Sequence, residues 1–365
     1  MKNHKHALVL CSLENLALTM IRTLAGKGIK STVAGAGPGR LLRLSRHCSS
    51  YTQVAGSGRA MAQAVEPALD RAARLARERG ADLVIPVDVP GALFAGKLRA
   101  KLPELPFFPF ADAGTLRLLD DKWSFYGFLQ RHAVPAPRTC LLERPGQASA
   151  LPLPVVLKPL SEAGGAGVVV ARDEAARDAR LAGTSPQHRF PTLAQEYLPG
   201  EDVSLSFLAD RGRLLAWAVH RRGPDGCVNY ISNERVVDLG RRIAAAASYS
   251  GVANIDMRYD GPARERVLVL ECNPRFWGTY KYTLGLGIDF LERGLALMEG
   301  REQPPFDGPP TAVVPGLAAS IKRMAVDRAL IPRVSRPYLR QKFGDPLPEL
   351  YCGARGLLGL RVAGP

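Results

Sequence analysis

Two lysines, a glycine-rich stretch, an acid-flanked turn and a carboxylate–amide pair at a strand end follow one another along this chain. Lys122 stands in Leu119-Asp120-Asp121-Lys122-Trp123. Lys158 ends the apolar run Val155-Val156-Leu157-Lys158-Pro159, just before Ser161-Glu162-Ala163-Gly164-Gly165-Ala166-Gly167. A lysine is a compact point charge suited to phosphate oxygens, and a glycine-rich hairpin lets main-chain amides close over them. Gln195-Glu196-Tyr197-Leu198-Pro199-Gly200-Glu201-Asp202 is an extended run leading to a turn. Such a backbone can pair with an adenine edge, and a carboxylate beyond it can accept hydrogen bonds from ribose. In Val267 to Phe276, period-2 alternation puts Glu271 and Asn273 on one face and Leu270 and Cys272 on the other. With Asp256 from the preceding strand they form a set of hard oxygen donors of the kind magnesium takes when it also binds phosphates. Arg275, two residues further along, is placed to reach a transferred phosphoryl group. Together these are the parts of a site that handles a nucleoside triphosphate.

Each part also has an ordinary reading. A lone lysine is a solvated charge, a glycine-rich stretch is a turn, and Gln195–Asp202 is a surface hairpin. Asp256 and Glu271 could form a structural ion pair with Arg258 or Arg275. Arg221, Arg222 and Lys281 stand both as binders of a substrate carboxylate and as solvated cations. Cys272 is expected to be a buried structural thiol, and His4 and His6 to be exposed.

The elements that must hold these residues alternate. Ala7–Cys11 reads as a strand, Leu16–Ala25 as a helix, Ile29–Val33 as a strand, Glu66–Arg79 as a helix and Asp82–Val87 as a strand, a pattern that predicts a parallel sheet covered on both faces. The turn Ser12-Leu13-Glu14-Asn15 lacks the glycine fingerprint of a dinucleotide site and is expected to face an acid substrate. Ala113–Arg131 reads as helical, and Val134-Pro135-Ala136-Pro137 breaks into an α+β region. There, strands are expected at 192–197, 203–209, 214–219 and 267–272, and helices at 241–250 and 290–298. Three units follow, 1–112, 113–300 and a Pro-rich, then basic, 301–365.

The 365 residues carry 49 basic and 34 acidic side chains, a net charge of +15, which favours a polyanionic partner or a phosphate-bearing ligand. Aromatic interleaving of the kind that stacks bases is missing, so nucleic acid is not expected. Six scattered cysteines form no C-x-x-C pair, which fits a reducing cytoplasm rather than a disulfide or zinc framework. Neither a transmembrane run nor a signal peptide is evident.

In order and spacing these motifs resemble the ATP-grasp superfamily, and its stand-alone carboxylate-amine ligases and carbamoyl-phosphate-synthase-like branch in particular. The resemblance rests on Asp121-Lys122, Lys158-Pro159 with Gly164–Gly167, Glu196–Asp202, and Asp256 with Glu271-x-Asn273-Pro274-Arg275. It covers most of the first 300 residues. It implies a mixed α/β and α+β architecture, with a Rossmann-like domain preceding two α+β subdomains that grip ATP, and then the basic C-terminal segment. By the same resemblance, Lys122, Lys158 and the loop glycines Gly164, Gly165 and Gly167 meet the phosphates, the Glu196 and Leu198 main chain meets adenine, and Glu201 or Asp202 takes the ribose. Asp256, Glu271 and Asn273 would hold two Mg²⁺, with Mn²⁺ as a substitute, and Arg275 with Lys158 would be catalytic. The implied reaction phosphorylates a carboxylate and passes the acyl group to an amine, both small molecules. A carboxylase, a thioester-forming ligase and a non-catalytic polyanion binder are the alternatives. A homo-oligomer and a peripheral contact of the basic segment with a membrane or carrier are further expectations.

Overall fold

The computed structural model describes residues 4–144, 147, 151–160, 167–182, 190–223, 226–261, 266–303, 306, 308, 310–325 and 330–357. The chain opens with a parallel sheet of β1 (His6–Cys11), β2 (Lys30–Ala36), β3 (Cys48–Ala55) and β4 (Leu83–Pro86), in the order β3-β2-β1-β4. β1 shows why its run is apolar throughout. Leu8 and Leu10 enter one core, against helices Glu66–Glu78 and Val89–Leu98, while Ala7, Val9 and Cys11 enter another, against helix Glu14–Gly26.

The next sheet is antiparallel, made of β5 (Thr139–Leu142), β6 (Val155–Pro159), β7 (Val169–Ala171) and β8 (Thr192–Glu196), in the order β5-β8-β6-β7. The β6–β7 pair is the expected hairpin that flanks the glycine-rich loop. A six-stranded antiparallel sheet follows, from β9 (Glu201–Asp210), β10 (Arg213–Arg222), β11 (Val228–Ile231), β12 (Gly251–Tyr259), β13 (Val267–Asn273) and β14 (Ala312–Val314). Its order is β13-β12-β9-β10-β11-β14. Val203, Leu205 and Phe207 of β9 pack into a core with helix Glu234–Ala246, and the alternate positions Ser204 and Ser206 face the other way.

Three local expectations are corrected. The helix expected at 241–250 runs over Glu234–Ala246, because Asn233 caps it by accepting from the Val236 amide at 3.2 Å and its apolar stripe begins at Val236. The helical stretch from 113 to 131 is two helices, Ala113–Asp120 and Lys122–Arg131. Asp121 turns extended between them and accepts from the Ser124 amide at 2.8 Å, so that Lys122 becomes the first residue of a helix. His4 is buried rather than exposed, its ring nitrogens 3.4 Å from Asp82 and 3.5 Å from Glu299, and His6 is half-buried and bonds Thr32 at 2.9 Å.

The C-terminal segment is woven into the rest. β14 edges the large sheet by pairing with β11, and Asp345 reaches back to helix Glu14–Gly26, where its Oδ2 accepts from Arg22 Nε at 2.9 Å and from the Ser45 hydroxyl at 2.6 Å. Among the described residues no helix is long and apolar enough to cross a membrane.

Candidate active site

The register of the large sheet assembles the site. Asp256 lies opposite Glu271 on β13 and opposite Ser204 on β9, and Asn254 lies opposite Asn273 and Ser206. Directly opposed residues share a face, so one side of the sheet carries a polar patch drawn from three strands. Asp256 Oδ1 accepts from Ser204 at 2.7 Å and from Asn254 Nδ2 at 2.9 Å, and Oδ2 accepts from Asn273 Nδ2 at 3.1 Å. Arg275 Nη2 donates to Asn273 Oδ1 at 2.9 Å, and Nη1 to the Phe276 carbonyl at 2.9 Å. The structural ion-pair reading therefore fails. Arg275 binds an amide and a carbonyl, and Arg258 turns instead to Asp202 Oδ1 at 2.6 Å and the Leu198 carbonyl at 3.0 Å. Cys272, on the opposite face, is buried in the apolar core as expected.

Both lysines converge on this patch from other elements. Lys122 Nζ, at the start of its helix, is 3.6 Å from Glu271 Oε2 and 3.5 Å from the Leu160 carbonyl. Lys158, at the end of β6, is 6% exposed. Burial pushes its pKa down to about 8; the charges of Glu271 and Asp256 oppose that shift and the charge of Lys122 adds to it. The Asp256 carboxyl is raised, first by burial and then by the negative charge of Glu271 facing it. Two carboxylates and one amide on one face are hard oxygen donors, and the repulsion between the carboxylates is what a divalent cation would relieve. Asp256, Glu271 and the Asn273 amide are donors of the type Mg²⁺ takes, although no cluster of three or more His, Cys, Asp or Glu suited to a metal occurs among the described residues.

At the other end, Glu196 is three residues along β8 from Leu193, the partner of Lys158, roughly 10 Å away at strand rise. Gly200 completes the turn into β9 with φ +114°, and a Cβ there would lie 2.1 Å from the Tyr259 carbonyl, so only glycine fits. Glu201 is held by Arg221 and Asp202 by Arg258. Gly167 has φ +72° and its carbonyl accepts from Arg180 at 3.3 Å, whereas Gly164 and Gly165 lie outside the described residues.

Sequence reasoning passed over four contributors. Asp120 is raised by burial and sits within the fields of Arg275, Lys122 and Glu271. The acidic doublet before Lys122 was its only signal. Asn254 and Ser204 hold Asp256, and the alternation that placed Glu271 and Asn273 together places Asn254 beside Asp256. Asp88 is the fourth. Its Oδ2 accepts from the Ser12 and Leu13 amides at 2.6 and 2.7 Å, and its Oδ1 caps the next helix through Gly91 N at 2.8 Å. Burial raises Asp88 while these amides, and to a smaller extent the charge of Arg275, act to lower it.

Comparison with known proteins finds similarity over parts of the chain and in its fold. Residues 188–315 match the family model described as ATP-grasp in the biosynthetic pathway with Ter operon. The chain is 25% identical over 179 residues to the arginine-specific carbamoyl phosphate synthase large chain of Bacillus subtilis, covering 44% of this chain and 17% of that one. It is 32% identical over 164 residues to phosphoribosylamine–glycine ligase of Caulobacter vibrioides, covering 42% and 38%. The chain thus spans less than half the length of these curated relatives. Its fold matches the biotin carboxylase–β-γ-ATP complex from Campylobacter jejuni with a TM-score of 0.61 at 17% identity, over 82% of this chain and 72% of that one. Over residues 188–315 the chain is thus similar to an ATP-grasp family model, and its fold is that of the biotin carboxylase structure.

Proposed function

We propose that this protein is an ATP-dependent ligase that phosphorylates a small-molecule carboxylate to an acylphosphate and joins the acyl group to an amine, releasing ADP and phosphate. The observation that carries this reading is the meeting of Lys122, Lys158 and Arg275, from three separate elements, around Asp256, Glu271 and Asn273. A carboxylate is a poor electrophile, and phosphorylation turns one of its oxygens into a leaving group. The protein's part is to position the reactants and neutralise charge.

In this reading Lys122 and Lys158 bind the phosphates, together with Gly167 and the glycines before it, and Arg275 stabilises the charge that develops on the transferred phosphoryl group. The main chain of Glu196 and Leu198 takes adenine, and Glu201 or Asp202 takes the ribose once released from Arg221 or Arg258. Asp256, Glu271 and Asn273 would hold two Mg²⁺, which supply electrostatic stabilisation of the phosphate charge. Three cations (Lys122, Lys158, Arg275) face three carboxylates (Asp120, Asp256, Glu271), so the site is formally neutral. A triphosphate therefore enters most favourably with divalent ions. The turn after β1, clamped by Asp88, is suited to the acid substrate.

We further assign 1–112, 113–300 and 301–365 as working units of a cytoplasmic, homo-oligomeric enzyme. Exposed Leu330, Phe343, Leu347 and Leu350 beside Arg336 and Arg340 support contact of the last unit with an anionic membrane or a carrier. Phosphoribosylamine–glycine ligase, one of the curated relatives, favours an amine as acceptor over the carboxylase or thioester chemistry. The test is ADP and phosphate release with Mg-ATP against pools of carboxylic acids, with and without amines, followed by mass spectrometry. A product formed with loss of water and requiring both partners supports the ligase. Turnover without an amine, or no nucleotide binding at all, overturns it.

A further inference from the structure

Lys281 lies on the short helix Tyr280–Thr283 that follows Arg275, and its side chain is only partly exposed. Among the described residues its ammonium has neither a hydrogen bond nor an ion pair. Its contacts are the ring faces of Tyr282 and Tyr338, 5.3 and 5.7 Å from the centroids. Ring faces attract a cation but accept few of its three N–H donors.

The anions nearby are already engaged. Glu349 accepts from Arg22 at 2.9 Å through one oxygen and pairs with Lys342 through the other, and Asp345 is taken by Arg22 and Ser45. Arg222, exposed at the end of β10, likewise has no hydrogen bond or ion pair among the described residues, and its charge acts on Lys281. Burial, with the like charges of Lys342, Arg22 and Arg222, brings Lys281 down to about 8, and Glu349 counters only part of this. The cluster therefore holds more cations than anions, where a purely structural lysine would be paired.

This cluster is on the same side of the large sheet as the phosphate end. Asp256 lies opposite Ser204, and Ser204 lies opposite His220, two strand spacings or about 10 Å in all. Thr279 Oγ1 sits 3.0 Å from His220 Nε2, and Lys281 is two residues beyond Thr279, as Arg222 is two residues beyond His220. Resting on the ligase reading above, we propose that Lys281 and Arg222 bind a carboxylate of one substrate, remote from its reacting group and beyond the roughly 10 Å that separates His220 from Asp256. The acid then carries a second carboxylate, or the amine is that of an amino acid.

The test is calorimetric binding to the full chain without nucleotide. Straight-chain dicarboxylates are set against the matching monocarboxylates, and amino acids against their amides. In at least one of the two series the carboxylated partner should bind about tenfold tighter or more. Lys281→Met should abolish that preference while leaving the weaker binding unchanged, and Lys281→Arg should keep most of it. The series that responds identifies which substrate bears the group. Equal affinities in both series, or a preference unchanged in Lys281→Met, would overturn the proposal. Should Lys281→Met fail to fold, mass-spectrometric labelling of Lys281 by an amine reagent at about pH 8 decides: slowing by the carboxylated ligand supports the subsite, and no slowing overturns it. Because no nucleotide is present, failure of ATP turnover would count against the ligase and not against this subsite.

Discussion

Lys158 offers a pH profile that follows from its burial. Its ammonium is the form that binds phosphate, and its pKa near 8 leaves about 90% of it charged at pH 7 and about 9% at pH 9. If only the charged form holds the phosphates, affinity for ADP in the absence of divalent metal should be level below about pH 7 and fall about tenfold, or 1.4 kcal/mol, by about pH 9. The sign follows from the cause: burial lowers the pKa in the free protein, so raising the pH neutralises Lys158 before an ordinary lysine would titrate. Calorimetric titration of ADP at several pH values reads this directly. Lys158→Arg, which stays charged throughout, should flatten the profile, and Lys158→Met should bind weakly and without slope. Lys281, the other lysine held near 8, should leave the slope intact when changed to Met. A flat wild-type profile between about pH 7 and 9, or the same slope in Lys158→Arg, would refute the assignment of Lys158 to the phosphates.

Glu271→Gln removes the charge facing Asp256 and should reduce Mg²⁺-dependent ADP release on the order of a hundredfold or more, with circular dichroism unchanged; full activity would sink the metal assignment. Asp88→Ala leaves the amides of Ser12, Leu13 and Gly91 without their acceptor and should cost about 3 kcal/mol in urea unfolding, and a cost near zero would mean water replaces the carboxylate. Asp345→Ala strands the buried Arg22 and should cost about 3–5 kcal/mol. Asp345 itself, which burial would raise, is held low by Ser45, Arg22 and the Arg46 amide. Its contribution is present above the unfolded carboxyl pKa and lost as the pH falls below about 4, so acid unfolding of Asp345→Asn should show a shallower dependence there than wild type.

Much of the site was legible because strand alternation is a local rule. Glu271 and Asn273 share a face by periodicity alone, and the β6–β7 hairpin was readable from two β-rich runs around glycines. Where the local signal was mixed, boundaries moved. Arg241–Ser250 is an alanine-rich stretch, yet the cap at Asn233 set the helix start seven residues earlier than expected. Asp121 looked like a helix interior and is a cap. His4, near the chain start, looked solvent-exposed and was buried by Asp82 and Glu299, which are remote in sequence.

By itself the sequence determined the alternating first sheet, the order of the lysine, glycine-rich, acid-flanked and carboxylate–amide motifs, and the side of the strand from which the oxygen donors project, since each depends on residues within one or two elements. The tertiary structure alone decided that Arg258 serves Asp202 and Leu198 rather than Asp256, that Asp88 clamps the turn after β1, that Asp345 anchors the C-terminal segment on Arg22, and that Lys281 is left without an anion among the described residues. The physical reason is that a charge's partner is set by which side chains packing brings within a few ångströms, and those partners come from strands and helices far apart in the chain.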